Sequence, residues 1–387
     1  MRDAACAPIF HKPHGEPVMT RFLLPALLAI GALWGAPAQA NSPQYQVETV
    51  AEGLEHPWSV AFLPDGRLLV TEHPGRLRVI ENGQLRAEPV QGLPAVFHSG
   101  QAGLLDVLPA ADFADSGTLY LSFVHGDKKA NHTRIVRATF DGQQLTNVQP
   151  IFTAHPAKSG DAHAGGRMLL LPDNTILMGV GDGFFFREQA QKLDTHIGKI
   201  VRVGTDGNVP QDNPFVGRAD VLPEIYSYGH RHVQAIVRDA GNGNLYAHEH
   251  GPRGGDELNL IQPGRNYGWP VITYGRDYSR ALISPFEKMP GMEQPLLHWT
   301  PSIAPAGMAL YDGDLFPDWR GHLFVAALAE ESLRRVPMAG GKPGPGAQQI
   351  LLAELENRIR DVRTGPDGAL YVVTDEKEGR VLRLVPR

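Results

Sequence analysis

Trp58-Ser-Val-Ala-Phe-Leu-Pro-Asp-Gly-Arg-Leu-Leu-Val-Thr71 is a short apolar run, a Pro-Asp-Gly turn and a second run rich in Leu and Val. It reads as a β-hairpin, because Pro presets φ, Asp accepts from the backbone just ahead of it and Gly tolerates positive φ. The pattern returns in Gly166-Arg-Met-Leu-Leu-Leu-Pro-Asp-Asn-Thr-Ile-Leu-Met178 and in Ile359-Arg-Asp-Val-Arg-Thr-Gly-Pro-Asp-Gly-Ala-Leu-Tyr-Val-Val-Thr374. Looser copies occupy 103–123, 234–249 and 306–327, so the turn aspartates are Asp65, Asp115, Asp173, Asp239, Asp318 and Asp367. A lone hairpin cannot bury both faces, and a ring of sheets removes the free edges. The six copies therefore predict an all-β fold, a six-bladed β-propeller of four-stranded antiparallel sheets. A β-sandwich is the other architecture compatible with short alternating strands. No amphipathic pattern of helical length follows residue 41.

The 387 residues are 42% hydrophobic and 20% charged, with 43 Gly and 32 Pro, a composition that folds and turns often. An apolar run at 22–34 follows Arg21, and Ala38-Gln39-Ala40 supplies small residues at a cleavage site, so residues 1–40 read as a secretory signal peptide starting at Met1 or Met19. The run is too short to span a membrane. The predicted mature chain is then one propeller domain over 41–387, periplasmic or secreted after cleavage near Ala40, with no membrane insertion. Without residues 1–40, which carry Arg2, Lys12, Arg21, Asp3 and Glu16, the 36 basic and 42 acidic residues become 33 and 40, a net charge of −7. That excess argues against a nucleic-acid partner. The single cysteine, Cys6, lies in the leader, which excludes thiolate chemistry, disulfides and a lipid-anchoring cysteine from the mature chain.

The usual nucleotide, serine-hydrolase and zinc-protease spacings are missing from the sequence. The densest polar stretch is His248-Glu-His-Gly-Pro-Arg-Gly-Gly-Asp-Glu257, followed by Asn266-Tyr-Gly-Trp-Pro270. Its glycines leave carbonyls free, and Glu249, Asp256 and Glu257 add hard oxygen donors, which suits calcium better than a transition metal. A solvated turn with a structural salt bridge fits the same composition. His163, among small residues at a strand entrance, can be a general base or a structural histidine. Arg231 precedes an apolar strand, while Arg358 and Arg360, two apart, share one face of an extended chain and suit a carboxylate ligand or an acidic surface. The stretch 340–346 reads as an exposed connection, and 277–299 as a long irregular loop that can serve as a lid or specificity loop.

At these residues the chain resembles the soluble PQQ-dependent sugar dehydrogenases, in their bacterial aldose sugar dehydrogenase branch. The resemblance rests on 248–257, 266–270, Tyr228-Gly-His-Arg231 and Asn357-Arg-Ile-Arg-Asp-Val362, and it extends over residues 45–385. It implies oxidation of an aldose sugar at the anomeric carbon to a lactone, the hydride passing to PQQ and on to an external electron acceptor. It makes His163 the base and Arg231 the group that polarises the quinone oxygen. It gives Gln101, His232, Arg358 and Arg360 contacts to PQQ, and gives calcium to Gly251 and Pro252, with a second, structural calcium at Glu257 and Tyr267. Two positions depart from the family. His232 stands where an asparagine usually follows the arginine, and Ala329 lies where the soluble glucose dehydrogenases have a lysine. A titrating His232 and the missing cation lead us to expect weaker, pH-sensitive PQQ retention. A ligand-binding propeller without redox chemistry and a calcium-dependent lactonase are the alternatives.

Overall fold

The computed structural model describes residues 45–344 and 346–387, so the expected leader and cleavage site lie outside the described residues. Six four-stranded antiparallel sheets form the blades of a propeller. The six repeated hairpins supply the two innermost strands of each blade: Pro57–Phe62 with Leu68–Glu72, Leu104–Pro109 with Thr118–Gly126, Gly165–Leu170 with Thr175–Val180, Val233–Arg238 with Leu245–Glu249, Pro305–Leu310 with Leu323–Ala327, and Ile359–Thr364 with Leu370–Thr374. Each first strand packs beside the first strand of the next blade, and the sixth returns to the first. Closure comes from Tyr45–Leu54, which pairs with Gly379–Pro386 as the outermost strand of the sixth blade, so the two ends of the described chain are sewn into one sheet.

Apolar alternation places the core between blades. Leu69, Leu104, Leu121 and Phe123 fill the gap between the first two blades, and Tyr311, Trp319, Phe324, Val362 and Leu382 fill the gap between the last two. Each such side chain contributes about 1.5–3 kcal/mol on burial, which is why alternation fixes the blade faces.

Two of the expected turns are wider than a tight turn. Asp115 sits in a one-turn helix, Phe113–Ser116, and Asp318 in the 3-10 turn Pro317–Trp319. Residues 340–346 are not a plain connection, because Met338–Ala339 and Lys342–Pro343 pair as a small extra hairpin. The 277–299 loop is irregular until Leu297–Trp299, which pairs as the outermost strand of the fourth blade. Among the described residues no helix is long and apolar enough to cross a membrane.

Candidate active site

Every innermost hairpin carries a register shift at the start of its first strand, between Pro57/Ser59, Leu104/Val107, Gly165/Met168, Val233/Ala235, Pro305/Met308 and Ile359/Asp361. A bulge re-aims the side chain it carries. Here the bulged or adjoining residues Trp58, Leu105, Gly165, Gln234, Ala304 and Arg360 all line one cavity of about 560 Å³. The repeat that makes the blades thus also makes the pocket, at the end of the channel where the hairpins begin.

His163 lies beside this cavity with φ 47, a left-handed conformation that non-glycine residues seldom adopt. Its surroundings enforce it. The His163 N–H donates to Gln101 Oε1 at 2.7 Å, and its carbonyl lies where a Cβ on Gly181 would be, at 2.0 Å. Nδ1 donates to Asp182 Oδ1 at 2.6 Å, which leaves Nε2 as the ring's acceptor. Asp182 also accepts from the Phe184 N–H and from Trp269 Nε1, each at 2.8 Å. Burial lowers the His163 pKa; the Asp182 carboxylate pulls the other way and the Arg231 charge adds to the lowering. His163 is therefore neutral, and able to take a proton, at ordinary pH. Lys199, fully buried, pins the segment after Asp182 by donating to the carbonyls of Gln189, Ala190 and Ile197.

The His163 ring stacks on His232, with centroids 4.7 Å apart and planes at 18°. His232 is not the titrating group expected of it. Burial, then His163, His250, Arg231 and Arg360, push its pKa well below the ordinary histidine value, so it stays neutral. Gln234 Nε2 donates to its Nε2 at 3.0 Å, so its proton is on Nδ1, which is buried without a partner. Arg231 donates from its guanidinium to the carbonyls of His250 and Gly251 at 3.0 and 2.9 Å. It lies over the Trp269 ring, beside a second groove of about 320 Å³ lined by Phe184, Pro252 and Tyr278. Tyr278 comes from the 277–299 loop, which therefore shapes the mouth.

Arg358 and Arg360 reach the cavity from the sixth blade, and Gln101 from the segment ahead of the second. Asp375, which motif reading missed, gathers both arginines, accepting at 2.5 Å from Arg360 and 3.4 Å from Arg358. Burial opposes its ionisation, but the two guanidiniums hold its carboxyl down at about 2. Arg360 Nε is buried without a partner. Orphaned donors on Arg360 and His232 at one cavity, beside two cationic side chains, fit a ligand with several carboxylate or carbonyl oxygens. Ala329 is exposed, and Leu328 rather than a cation lines the wall there.

The acidic stretch separates into different roles. Asp256 is turned away from the other two carboxylates to hold Gly251 N, Ser302 Oγ, Ile303 N and Ala304 N, which ties the fourth blade to the fifth. Glu249 accepts from His230 Nδ1 and from the Arg231 N–H, fixing the arginine's backbone. Glu249 and Glu257 face one small cavity with Gly251 and Tyr267. Burial, and then Glu249, raise the Glu257 pKa, because only Asn259 donates to it. Two buried carboxylates short of positive charge, beside main-chain carbonyls, are a hard-oxygen donor set that fits a calcium ion. The Tyr267 hydroxyl is already committed to Leu260 O and Gln262 N, so any metal contact there falls to the main chain. Among the described residues no three histidine or acidic side chains converge on one point, so backbone carbonyls must complete such a site.

Under the cavity lies a charged plug. Arg167, 2% exposed, pairs with Asp106 at 3.5 Å and Asp361 at 3.2 Å, and Arg363 pairs with the same two acids at 3.2 and 3.1 Å. The Arg167 guanidinium stacks 4.0 Å from the Trp58 ring centre. This network joins four blades across the channel. Its sequence signal was a lone aspartate in an otherwise apolar strand, Leu-Leu-Asp106-Val, and an arginine-flanked aspartate between Ile359 and Val362.

The sequence profile of the glucose/sorbosone dehydrogenases matches residues 54–383. Aldose sugar dehydrogenase YliI of Escherichia coli is 40% identical over 372 residues, covering 95% of this chain and 98% of its own. The crystal structure of the soluble E. coli aldose sugar dehydrogenase in its apo form superposes with a TM-score of 0.85 at 39% identity, covering 89% of this chain and 100% of that one. The PQQ-bound form of the Streptomyces coelicolor aldose sugar dehydrogenase gives 0.74 at 30%, covering 89% and 98%.

Proposed function

Because the chain belongs to the glucose/sorbosone dehydrogenase family and is an oxidoreductase of that kind, we propose that it is a PQQ-dependent, calcium-requiring dehydrogenase that oxidises aldoses at the anomeric carbon to lactones. The observation that carries this reading is one histidine, His163, whose Nδ1–H is held by Asp182 while its Nε2 remains an acceptor, and whose neighbours Gln101 and His232 line the cavity that Arg358 and Arg360 enter. PQQ, when bound, supplies an ortho-quinone able to accept a hydride. Arg358 and Arg360 would hold its carboxylates, and the orphaned donors of Arg360 and His232 would complete the set. Gln101 lines the same cavity.

His163 Nε2 takes the proton of the anomeric hydroxyl as the C–H bond gives up its hydride, and Asp182 stabilises the imidazolium formed. Arg231, held by the carbonyls of His250 and Gly251, would supply positive charge that favours reduction of a quinone. The carbonyls of Gly251 and Pro252 would hold a calcium at the cofactor, and Glu257, with Glu249 and the Tyr267 carbonyl, would hold a second, structural calcium. The buried plug of Arg167 and its acids closes the channel beneath. Residues 1–40 make this an exported enzyme, acting in the periplasm or outside the cell, whose electrons leave to an external acceptor. The test is His163→Gln: PQQ affinity stays at the wild-type level while turnover falls by about 10²–10⁴-fold. A variant with near-normal turnover removes His163 from the base role.

A further inference from the structure

We propose that His232 is a positioning residue for the base: its imidazole, stacked on His163, fixes the plane of that ring and keeps water from its face. The proposal rests on the reading of His163 as the base. One hydrogen bond to Asp182 anchors Nδ1 at a single point of the ring, and small torsional motion about Cα–Cβ and Cβ–Cγ is left for packing to restrain. Two walls remove that freedom. The Phe184 ring meets His163 edge-on at 5.2 Å and 75°, and His232 covers a face at 4.7 Å and 18°.

His232 is itself immobilised. Gln234 donates to its Nε2, and the His250 ring stands edge-on to it at 5.2 Å and 90°, with His250 Nε2 donating to Pro305 O at 2.7 Å. The charged and titratable groups around the pair are Asp182, Lys158 and Arg231 on the His163 side, and His250, Arg231 and Arg360 on the His232 side. Only His163 has a carboxylate partner, so it alone of the stacked pair takes the proton, and His232 stays a neutral wall. An asparagine at 232, the residue seen in the resemblance, keeps a hydrogen-bond donor but has no ring to stack. The stack is therefore a property of the histidine ring at this position and not of its hydrogen-bond donor.

The two roles of His232 separate in two variants. His232→Asn retains a donor and loses the wall; His232→Phe retains the wall and loses the donor. The histidine ring nitrogens are followed by NMR against pH in the cofactor-free protein, with His163 assigned by the signal lost in His163→Gln. In His232→Asn, water reaches the exposed face, the desolvation of His163 eases and its titration moves up toward the ordinary histidine value. The acid limb of kcat/KM moves up with it, and kcat falls about tenfold from the loosened ring. In His232→Phe the His163 titration stays at the wild-type position and the loss is in PQQ affinity. An unchanged His163 titration in His232→Asn overturns the proposal, as does a shift in His232→Phe equal to that in His232→Asn. Absence of sugar oxidation by the wild type with PQQ and calcium overturns the functional reading instead, and the NMR comparison still decides the stack.

Discussion

Replacing Asp182 by Asn tests how the base is held. Asp182 is fully buried and accepts three hydrogen bonds, from His163 Nδ1, the Phe184 N–H and Trp269 Nε1. An asparagine has one acceptor oxygen. With that oxygen toward His163 and Phe184, its amide nitrogen faces the Trp269 N–H, leaving a buried donor unsatisfied at a cost of about 1–3 kcal/mol. The flipped amide loses two bonds and presents N–H to His163 Nδ1, so the first orientation wins and the tautomer is retained. The charge is lost all the same. A charge-assisted bond to the forming imidazolium becomes a neutral one, weaker by about 1–2 kcal/mol, which corresponds to a fall in kcat of roughly 5- to 30-fold. Since the carboxylate raises the affinity of His163 for a proton, its removal moves the acid limb of the pH–rate profile to lower pH while the plateau drops. Dye-coupled kinetics across pH, with urea melts for stability, read both effects. A variant within twofold of wild-type kcat, with an unmoved acid limb, refutes the coupling of Asp182 to the base.

Asp375→Asn removes a carboxylate held at about 2 by its arginines, so about 2 kcal/mol of stability is lost at neutral pH. A group with a depressed pKa stabilises above its unfolded value, so urea melts must show the gap between wild type and variant closing as pH falls from about 4 to about 2; a gap independent of pH contradicts the ion-pair account. Arg360→Ala is expected to weaken PQQ binding about 100-fold by calorimetry, with the fold unchanged by circular dichroism; equal affinity removes Arg360 from the cofactor site. Arg167→Met leaves Asp106 and Asp361 buried beside a single arginine, a loss of about 3–5 kcal/mol that differential scanning calorimetry reads as a fall in melting temperature of roughly 4–7 °C. A fall under about 2 °C contradicts the plug's role.

The blades were legible because each hairpin carries its own instruction: apolar alternation sets the faces, and Pro-Asp-Gly at 64–66 or 366–368 sets the turn. The bulges were not, since they answer to packing at the channel mouth and not to any local motif. His163, Arg231, Arg358 and Arg360 stood out as charged or basic residues at strand entrances, and the fold brings them to one end. Asp182 and Asp375 did not stand out, because each meets its partner across the hairpin or the blade, 19 residues from His163 in one case and 15 from Arg360 in the other. The acidic run 248–257 misled in part. Its spacing says nothing of which way a carboxylate turns, and Asp256 turns to the backbone of the next blade. His232 was read as a titrating contact because its type was visible and its burial was not.

The most direct test is dye reduction by the purified mature protein with glucose and other aldoses, after addition of PQQ and calcium, each alone and both together. The account predicts turnover only with both, with lactone as the product. PQQ that fails to bind, or binds with calcium present and leaves every aldose unoxidised, contradicts it.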